Sequence, residues 1–455
     1  MSHKIYLWLA KILYFPIAKY FRFFAKIILA RWNPVIIVVM GSAGKSNAHN
    51  LIYKLLQKTD KVRRSERANS AFAIPLDVAD IHIKNYTPAE WFLAGLRIPL
   101  RTLYLLAFPY PHKYYVMELD VDRPNEMAFF ASFIKPNVVF WVSSYATHTA
   151  NFDAMVDKKL FKDTPTAIAA EFAKILISSP HMTAILNYDS VYIRQATEPV
   201  KIAKYLLRKD KGRYNFSNWE IFRKRTVCSI KLDKQQFQVE LPFIAPRNFG
   251  YTILAAYIVA QLFKLDLGYL QAVLNEYSFN PGVCSILDGE KNTKIIDSSY
   301  NSSFYATISL LEVLKYYPGQ RKIAVLGDMR ELGDMSKQEH TTLAKKLEEY
   351  NFEQVVLVGP ETQKYIYPIL SESYKESSLH WFGNSYQAGL FIKERLLKPN
   401  DVVLLKASQN TLFFEIIAEL LLENPEDLKL LCRRDPVWEE KRQEIKTQFY
   451  QKLNN

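Results

Sequence analysis

A run of β-branched residues that ends in a glycine-rich turn constrains this chain more than any other stretch. Val35–Met40 is continuously apolar, and Gly41–Ser46 follows it directly, before a helical pattern that continues to Leu56. Continuous apolar runs are typical of strands that are buried on both faces of a parallel sheet. The sequence therefore predicts an α/β domain in which this strand is buried on both faces of the sheet.

The turn itself reads Gly-Ser-Ala-Gly-Lys-Ser and has the composition of a phosphate cradle. Glycines let backbone amides approach a phosphate, the following helix N-terminus adds positive potential, and the lysine and serine supply an ammonium group and a Mg²⁺ ligand. The standard eight-residue loop has a glycine where Val39 stands, so this is the shorter Gly-x-x-Gly-Lys-Ser form. A chance Gly-Lys-Ser turn is the alternative, and the flanking strand and helix count against it.

Similar apolar runs recur along the chain, and helical stretches separate several of them. They are Tyr115–Met117, Val138–Val142, Ala184–Leu186, Ile323–Leu326, Val355–Val358 and Val402–Leu405. This alternation predicts open α/β sheets, one in each domain. Gly212–Leu241 consists of short, alternating and charged stretches, as in a β-hairpin. Asn280-Pro281-Gly282 is a turn signal that we take as a domain boundary.

We therefore expect three parts. Residues 1–33 form a basic amphipathic segment, residues 34–282 a parallel-sheet P-loop domain, and residues 283–455 a smaller, Rossmann-like α/β domain. A chain of 455 residues is too long for one ordinary core, which agrees with this division.

Charge and cysteine content narrow the partners. The net charge of +13 suits nucleic acid, an anionic membrane or phosphorylated substrates. No arginine-rich tail or aromatic-basic repeat occurs, so no nucleic-acid partner is expected. The three cysteines (Cys228, Cys284 and Cys432) form no C-x-x-C pair, which argues against a disulfide framework or a thiolate zinc site and suits a reducing cytoplasm.

The N-terminal segment is apolar and aromatic from Ile5 to Ala30 but carries regularly spaced cations. These are Lys4, Lys11, Lys19, Arg22 and Lys26. At 100° per residue they fall within an arc of roughly 80° on a helix. The charges and Pro16 disfavour a membrane span, whereas a helix lying in the membrane interface fits. This interpretation gives peripheral contact with the inner face of the plasma membrane; packing on the protein's own surface is the alternative.

Several longer motifs, in fixed order, carry a resemblance to a known family. In the first half they are Asn69–Leu76, Glu118-Leu119-Asp120, Pro124–Met127, Pro136–His148 and Asn187-Tyr188-Asp189. In the second half they are Ile296–Asn301, Ala324–Gly333 with His340, and Leu405–Ser408. From about Pro34 to Leu421 the chain resembles the Mur ligases, which build the peptides of the bacterial cell wall.

The resemblance implies an ATP-dependent, ADP-forming ligase. Such an enzyme moves the γ-phosphoryl group of ATP onto a carboxylate, and the amine of an amino acid or dipeptide attacks the acyl phosphate. The substrates would thus be a small-molecule amine and a carboxylate, with ATP and Mg²⁺ as cofactors.

The same resemblance assigns site residues. The expected catalytic residues are Lys45, Glu118 and His148, and the expected Mg²⁺ ligands are Ser46, Glu118 and His148. The expected ATP contacts are Gly41, Ser42, Ala43, Gly44, Lys45, Ser46, Asn248 and Asp297. The expected substrate contacts are Asn301, Asp328, Glu331, Lys406 and Ser408.

The chain also departs from the family pattern. The resemblance lacks the family's N-terminal UDP-sugar domain, so a lipid-linked or otherwise surface-held acceptor is an expected alternative. Phe172 stands where the family has a carbamylated lysine that supports a second metal, and Lys174 is off register. Val283 replaces an arginine after Gly282, and Arg247 replaces a histidine.

Two other functions stay open beside the ligase. One is a P-loop ATPase or kinase without ligase action, against which the retained motifs of the second half count. The other is a non-catalytic membrane scaffold that binds nucleotide, and the changes at Phe172 and Val283 keep it open.

Overall fold

The computed structural model describes residues 3–66, 68–84, 87–146, 149–408 and 412–453. The chain divides into two compact units. The first contains the residues up to Asn215 together with Leu232–Lys234 and Tyr251–Val273; the second contains Phe216–Lys231, Gln235–Gly250 and the chain from Leu274 onward. The three-part division at residues 33 and 282 stays a prediction.

One sheet has nine strands, in the order β2-β3-β1-β4-β5-β6-β7-β8-β9. The strands are β1 (Val35–Gly41), β2 (Val62–Arg64), β3 (Tyr114–Leu119), β4 (Val138–Ser143), β5 (Thr183–Asn187), β6 (Ala203–Lys209), β7 (Tyr214–Ile221), β8 (Thr226–Leu232) and β9 (Gln235–Leu241). All pairs from β2 to β6 are parallel. The predicted burial of Val35–Met40 in a parallel sheet is confirmed, because β1 lies between β3 and β4 and is almost wholly buried.

Ten helices lie between His3 and Asn275 in the described chain. They are α1 (His3–Trp32), α2 (Lys45–Gln57), α3 (Ala73–Val78), α4 (Pro88–Ala107), α5 (Glu126–Ala131), α6 (Asp153–Asp157), α7 (Thr164–Ala173), α8 (Val191–Thr197), α9 (Phe249–Leu262) and α10 (Leu267–Asn275). Short 3₁₀ turns lie at Thr149–Asn151 and Lys174–Ile177. A parallel sheet with helical crossovers is the expected α/β architecture.

The second unit contains a six-stranded sheet in the order β10-β11-β15-β12-β13-β14, and only the β10–β11 pair is antiparallel. Its strands are β10 (Ser285–Gly289), β11 (Thr293–Ser298), β12 (Lys322–Gly327), β13 (Gln354–Val358), β14 (Leu379–Phe382) and β15 (Val402–Lys406). Its helices are α11 (Phe304–Tyr316), α12 (Ser336–Tyr350), α13 (Pro360–Tyr365), α14 (Tyr367–Leu370), α15 (Ser385–Phe391), α16 (Glu415–Leu421) and α17 (Pro436–Leu453). The predicted α/β fold with parallel sheets is confirmed.

Helix α1 packs on its own unit over the part whose side chains are described. Ala18, Phe21, Ala25 and Ile28 recur at helical spacing and are buried in the core, and the indole of Trp32 donates a hydrogen bond to the His112 carbonyl at 2.6 Å. Packing on the protein's own surface, the alternative from the sequence, therefore holds for this part. Membrane contact stays a prediction.

Helix α4 was not predicted, and its two sides are unusual. A capping box starts it, because the Thr87 hydroxyl accepts from the Glu90 amide at 3.3 Å while the Glu90 side chain accepts from the Thr87 amide. The inward side is narrow, and its buried residues are Ala94, Ile98, Thr102 and Leu105. The outward side is apolar: Phe92, Leu93, Leu96, Leu100, Leu103 and Tyr104 are 45–69% exposed.

Within the described ranges no helix has the length and hydropathy to cross a membrane.

A cluster of buried charges joins the last two helices of the second unit. The Glu415 carboxylate on α16 is fully buried and lies 3.0 Å from Arg433 and 3.9 Å from Arg442, both of which are almost inaccessible to solvent. Buried ions need partners, because desolvation is costly. The cluster therefore ties α17 to the body of its unit.

Candidate active site

The loop between β1 and α2 needs glycine at two positions. Gly44 caps α2 in the left-handed region, with φ of 81° and no side-chain cap. Gly41 has φ of +141°, and a Cβ there would lie 2.6 Å from the Ser143 carbonyl oxygen on β4. Both the backbone conformation and the close approach of β4 exclude a side chain.

Ser143 forms hydrogen bonds that join this loop to the end of β4. Its carbonyl accepts from the Ser42 amide at 3.1 Å. Its hydroxyl accepts from the Ala43 amide and donates to the Ala43 carbonyl, both at 2.8 Å. Two of the loop amides are therefore engaged, and an anion would meet the first-turn amides of α2, which have no intrahelical partners.

The Gly41→Ala variant is expected to lose about 2 kcal/mol of unfolding free energy and to weaken nucleotide binding, because the loop must move away from β4. Chemical denaturation and titration with a fluorescent ATP analogue measure the two effects. Gly95→Ala is the matched control: a Cβ at Gly95, within α4, meets no atom within 4 Å, so this variant should be slightly more stable. Equal behaviour of the two variants would contradict the tight contact at Gly41.

Lys45 is buried and surrounded by acids. Its Nζ lies 2.7 Å from the Asp120 carboxylate. Burial alone would lower the pKa of Lys45, but Asp120 and Glu118 more than offset it, so that the pKa is raised and the ammonium stays charged. Asp120 follows β3, which lies beside β1 with Glu118 opposite Val39. The register of two neighbouring strands thus brings cation and acids together.

Ser46 and Glu118 also meet. Burial raises the pKa of Glu118, while the Lys45 charge and a hydrogen bond with the Ser46 side chain lower it in part. A hydroxyl and a carboxylate in contact at a phosphate loop are the hard oxygen donors that Mg²⁺ prefers. The residues present therefore fit one Mg²⁺ ion shared with phosphate oxygens.

A second metal finds less support. His148 lies outside the described residues. Phe172 is buried in the core, with its ring centroid 5.6 Å from that of Trp141, and Lys174 donates to Glu171 at 2.6 Å. No group of three or more His, Cys, Asp or Glu residues suited to a metal occurs in the described part of the chain.

In the second unit, Lys406 and Asp297 end two paired strands. Lys406 on β15 lies opposite Ser298 on β11, and its Nζ donates to the Ser298 carbonyl and hydroxyl at 3.3 Å each and to the Asn301 carbonyl. Burial lowers the pKa of Lys406 to about 8 against the opposing charge of Asp297. Burial raises the pKa of Asp297. Asn301 is exposed, and Asn248 is half-buried in a different segment of the same unit.

The loop after β12 is held by Ser408 and His340. The Ser408 hydroxyl accepts from the Arg330 amide at 3.0 Å and the Ser408 amide donates to the Asp328 carbonyl at 3.2 Å. His340 accepts from the Met329 amide at 3.1 Å. Two predicted residues, Asp328 and Ser408, are thereby brought together.

A cavity of about 420 Å³ opens beside this loop. It is lined by Asp328, Met329, Arg330, Glu331, Leu332, Gly333, Ser336, Pro360, Glu361 and Leu412. The Asp328 carboxylate accepts from the Thr362 amide at 2.9 Å, and burial raises the pKa of Asp328 to about 6. Three carboxylates and one guanidinium give the cavity an acidic balance.

Sequence reasoning missed three residues of these sites. The sequence motif contains Asp120 but assigns it no role. Asp120 stands two residues after Glu118, directly after the same strand, and this spacing indicates that both side chains point to one side. Ser143 had no signal, because its role comes from the approach of β4 to the loop. Glu361 joins the cavity only through the packing of β13 and α13 beside β12.

The comparisons with known proteins agree with this arrangement. Residues 284–409 match the model of the Mur ligase family described as the glutamate ligase domain. The match identifies a Mur ligase domain at these residues, and it agrees with the motifs of the second half of the chain.

The similar curated proteins are ligases of one kind. The UDP-N-acetylmuramoyl-tripeptide–D-alanyl-D-alanine ligase of Buchnera aphidicola is 23% identical over 86% of this chain and 77% of its own length. That of Synechocystis is 23% identical over 87% of this chain and 76% of its own.

Solved structures give the same picture for the fold. MurF ligase from Thermotoga maritima, in complex with ADP, superposes with a TM-score of 0.71 at 19% identity, over 90% of this chain and 84% of that one. MurF from Acinetobacter baumannii gives 0.69 at 19% identity, over 89% and 79%. The family match at residues 284–409 and the similar ligases favour the ligase interpretation over the kinase and scaffold alternatives.

Proposed function

We propose that this chain is an ATP-dependent ligase that joins the amine of D-alanyl-D-alanine to the terminal carboxylate of a muramoyl tripeptide in cell-wall assembly. ADP and phosphate are the other products. The observation that carries the proposal is that a phosphate loop with a buried Lys45 occurs in one chain with a Mur ligase domain at residues 284–409. Similarity over 86% of the chain to a ligase of this name supports it.

The first unit would activate the carboxylate. A carboxylate oxygen is a poor leaving group. Phosphorylation by ATP converts the carboxylate into an acyl phosphate, from which phosphate leaves more easily. The Lys45 ammonium and the first-turn amides of α2 would hold the phosphates. Ser46 and Glu118 would hold Mg²⁺, which when bound neutralises charge on the phosphoryl group being transferred. On the resemblance alone, His148 is kept as a candidate ligand of a second Mg²⁺.

The second unit would receive the amine. The acidic cavity beside Asp328, Glu331 and Glu361 suits the ammonium group of a dipeptide. Because its pKa is about 6, Asp328 is mostly ionised at neutral pH and can attract that cation. Lys406 and Ser408 support the loops around it, through the carbonyls of Asn301 and Asp328 respectively. Asn248 and Asp297 remain the candidates for adenine and ribose.

An ADP-release assay with the full chain tests the function. UDP-linked muramoyl tripeptide and D-alanyl-D-alanine are supplied singly and together, and the product mass is measured. We expect ADP release only when both are present, and a product heavier by the dipeptide less one water. Phosphate transfer to the acceptor without amine would instead identify a kinase, and nucleotide binding without turnover in any combination would identify a scaffold.

A lipid-linked acceptor is the second candidate, and the exposed apolar side of α4 favours it. The same assay with a lipid-linked muramoyl tripeptide in detergent decides between them by the ratio of kcat/KM. Because the proposed reaction consumes ATP, we expect it in the cytoplasm, and with the lipid-linked acceptor at the inner face of the plasma membrane.

A further inference from the structure

The outward side of α4 is a continuous apolar surface in the folded chain. Phe92, Leu96, Leu100 and Leu103 are 67%, 56%, 69% and 65% exposed. At 100° per residue these four lie within an arc of about 80°, and Leu93 and Tyr104 widen it on one side. Folded monomers rarely expose so many large apolar side chains in one place, and such patches mark interaction surfaces.

Helix α1 extends this surface. The Tyr20 hydroxyl donates to the Gly95 carbonyl at 2.9 Å, and the Arg31 Nε donates to the Leu106 carbonyl at 3.1 Å. In both bonds the two residues are 75 positions apart in the sequence. Contacts therefore advance in step along the two helices, which means that α1 and α4 run side by side in the same direction. Phe23, 61% exposed, and Ile17, 41% exposed, lie on the outward side of α1.

The two helices are also strongly basic. α1 contains six lysine or arginine residues and no acid, and α4 contains two arginines and one glutamate. That glutamate, Glu90, is used in the capping box. Lys19, Lys26, Arg31 and Arg97 are exposed. An apolar surface edged by cations and aromatic rings is the pattern of a segment that lies in the interface of an anionic bilayer.

We propose that α4 and the outward side of α1 form a docking surface for an anionic lipid bilayer, into which the leucine and phenylalanine side chains of α4 insert. The charge balance selects this occupant over a second copy of the chain. Two copies that met through this surface would bring their cations together, whereas acidic headgroups would neutralise them. The surface lies on the folded unit rather than on a free N-terminal helix.

This placement determines how the proposal can be tested. Removal of α1 would expose core positions such as Phe21, Ile28 and Trp32, so a deletion would confuse unfolding with loss of docking. Substitution of exposed residues on α4 avoids this problem. The double variant Leu100→Asp/Leu103→Asp changes two of the most exposed side chains of α4 and none of the residues at the phosphate loop.

Flotation of the full-length protein with vesicles is the experiment. The protein should float with vesicles of phosphatidylcholine and phosphatidylglycerol, and much less with phosphatidylcholine alone or at high salt. The double variant should bind at least about tenfold more weakly. Ile177→Asp, at a 76% exposed apolar residue of the same unit, is the matched control and should bind as the parent does.

Three results would overturn the proposal. The first is undiminished flotation of the double variant, and the second is binding that does not depend on the anionic lipid. The third is a parent protein that does not float but is dimeric by analytical ultracentrifugation, with the double variant monomeric, since the surface would then join two copies. Binding of a fluorescent ATP analogue, measured in parallel, should be equal in all variants, so that failure of docking and failure of the ligase assignment are separate outcomes.

Discussion

The Lys45→Ala variant is expected to lose ATP turnover by about a thousandfold. Lys45 is the cation at the N-terminus of α2, and the acids beside it keep its pKa raised and its charge in place. Preorganised charges in a water-poor site are worth most where negative charge must be held during phosphoryl transfer. ADP formation in the presence of both substrates is the measurement.

Two controls accompany this variant. Lys58→Ala, just after the other end of α2, should turn over ATP at the parent rate. Lys45→Ala also leaves Asp120 and Glu118 together without their cation, so its unfolding free energy must be measured to show that the protein is folded. A folded Lys45→Ala protein with normal turnover would mean that the nucleotide is processed elsewhere.

The Glu415→Gln variant is expected to lose about 3–5 kcal/mol of unfolding free energy, the largest stability effect that we predict. Glu415 is the only carboxylate within 4 Å of Arg433 in the described chain, and it also faces Arg442. Its replacement by a neutral amide leaves the buried guanidinium of Arg433 without a carboxylate partner, whereas Arg442 keeps its ion pair with Glu439. Chemical denaturation, followed by a probe in the second unit, measures the effect.

Glu419→Gln is the matched control on the same helix. Glu419 is 24% exposed and pairs with Arg434 and Lys446, so water can replace those contacts. Its loss should cost less than about 1 kcal/mol. Similar losses of unfolding free energy for the two variants would show that burial does not determine how much the Glu415 cluster contributes to stability.

The central strands could be predicted from sequence because they are buried on both faces. Val35–Met40 and Val402–Leu405 have no polar interruption, and a parallel strand with helices on both sides requires none. Strand β2 reads Val-Arg-Arg and β14 reads Leu-His-Trp-Phe. Such short, partly polar strands carry no pattern of their own, and their neighbours in the sheet determine them.

Helix α4 escaped prediction for a different reason. Hydrophobic periodicity marks the buried side of a helix, but here more large apolar residues face outward than face the core. The same difficulty affected α1, where apolar residues surround the helix and the pattern could not tell the core side from the outer side. In both helices the sequence contains enough information to identify an apolar face. It does not indicate whether that face packs on the core or remains exposed.

The candidate site divides in a similar way. The local motif around Gly41–Ser46 predicted the loop, and the longer motifs predicted Glu118, Asp328 and Lys406. Contacts between distant segments were not predictable, such as Ser143 with Ala43 or Lys45 with Asp120. They depend on strand register, which a single sequence does not specify.

The contact between Lys45 and Asp120 gives the phosphate loop a built-in counter-ion. Any phosphate that reaches the lysine has to displace this carboxylate or share the ammonium group with it, so that two anions meet at one cation. Coulomb repulsion between the carboxylate and the phosphate opposes binding unless a divalent cation accompanies the phosphate. The loop is therefore biased against bare anions and towards those that bring their own metal.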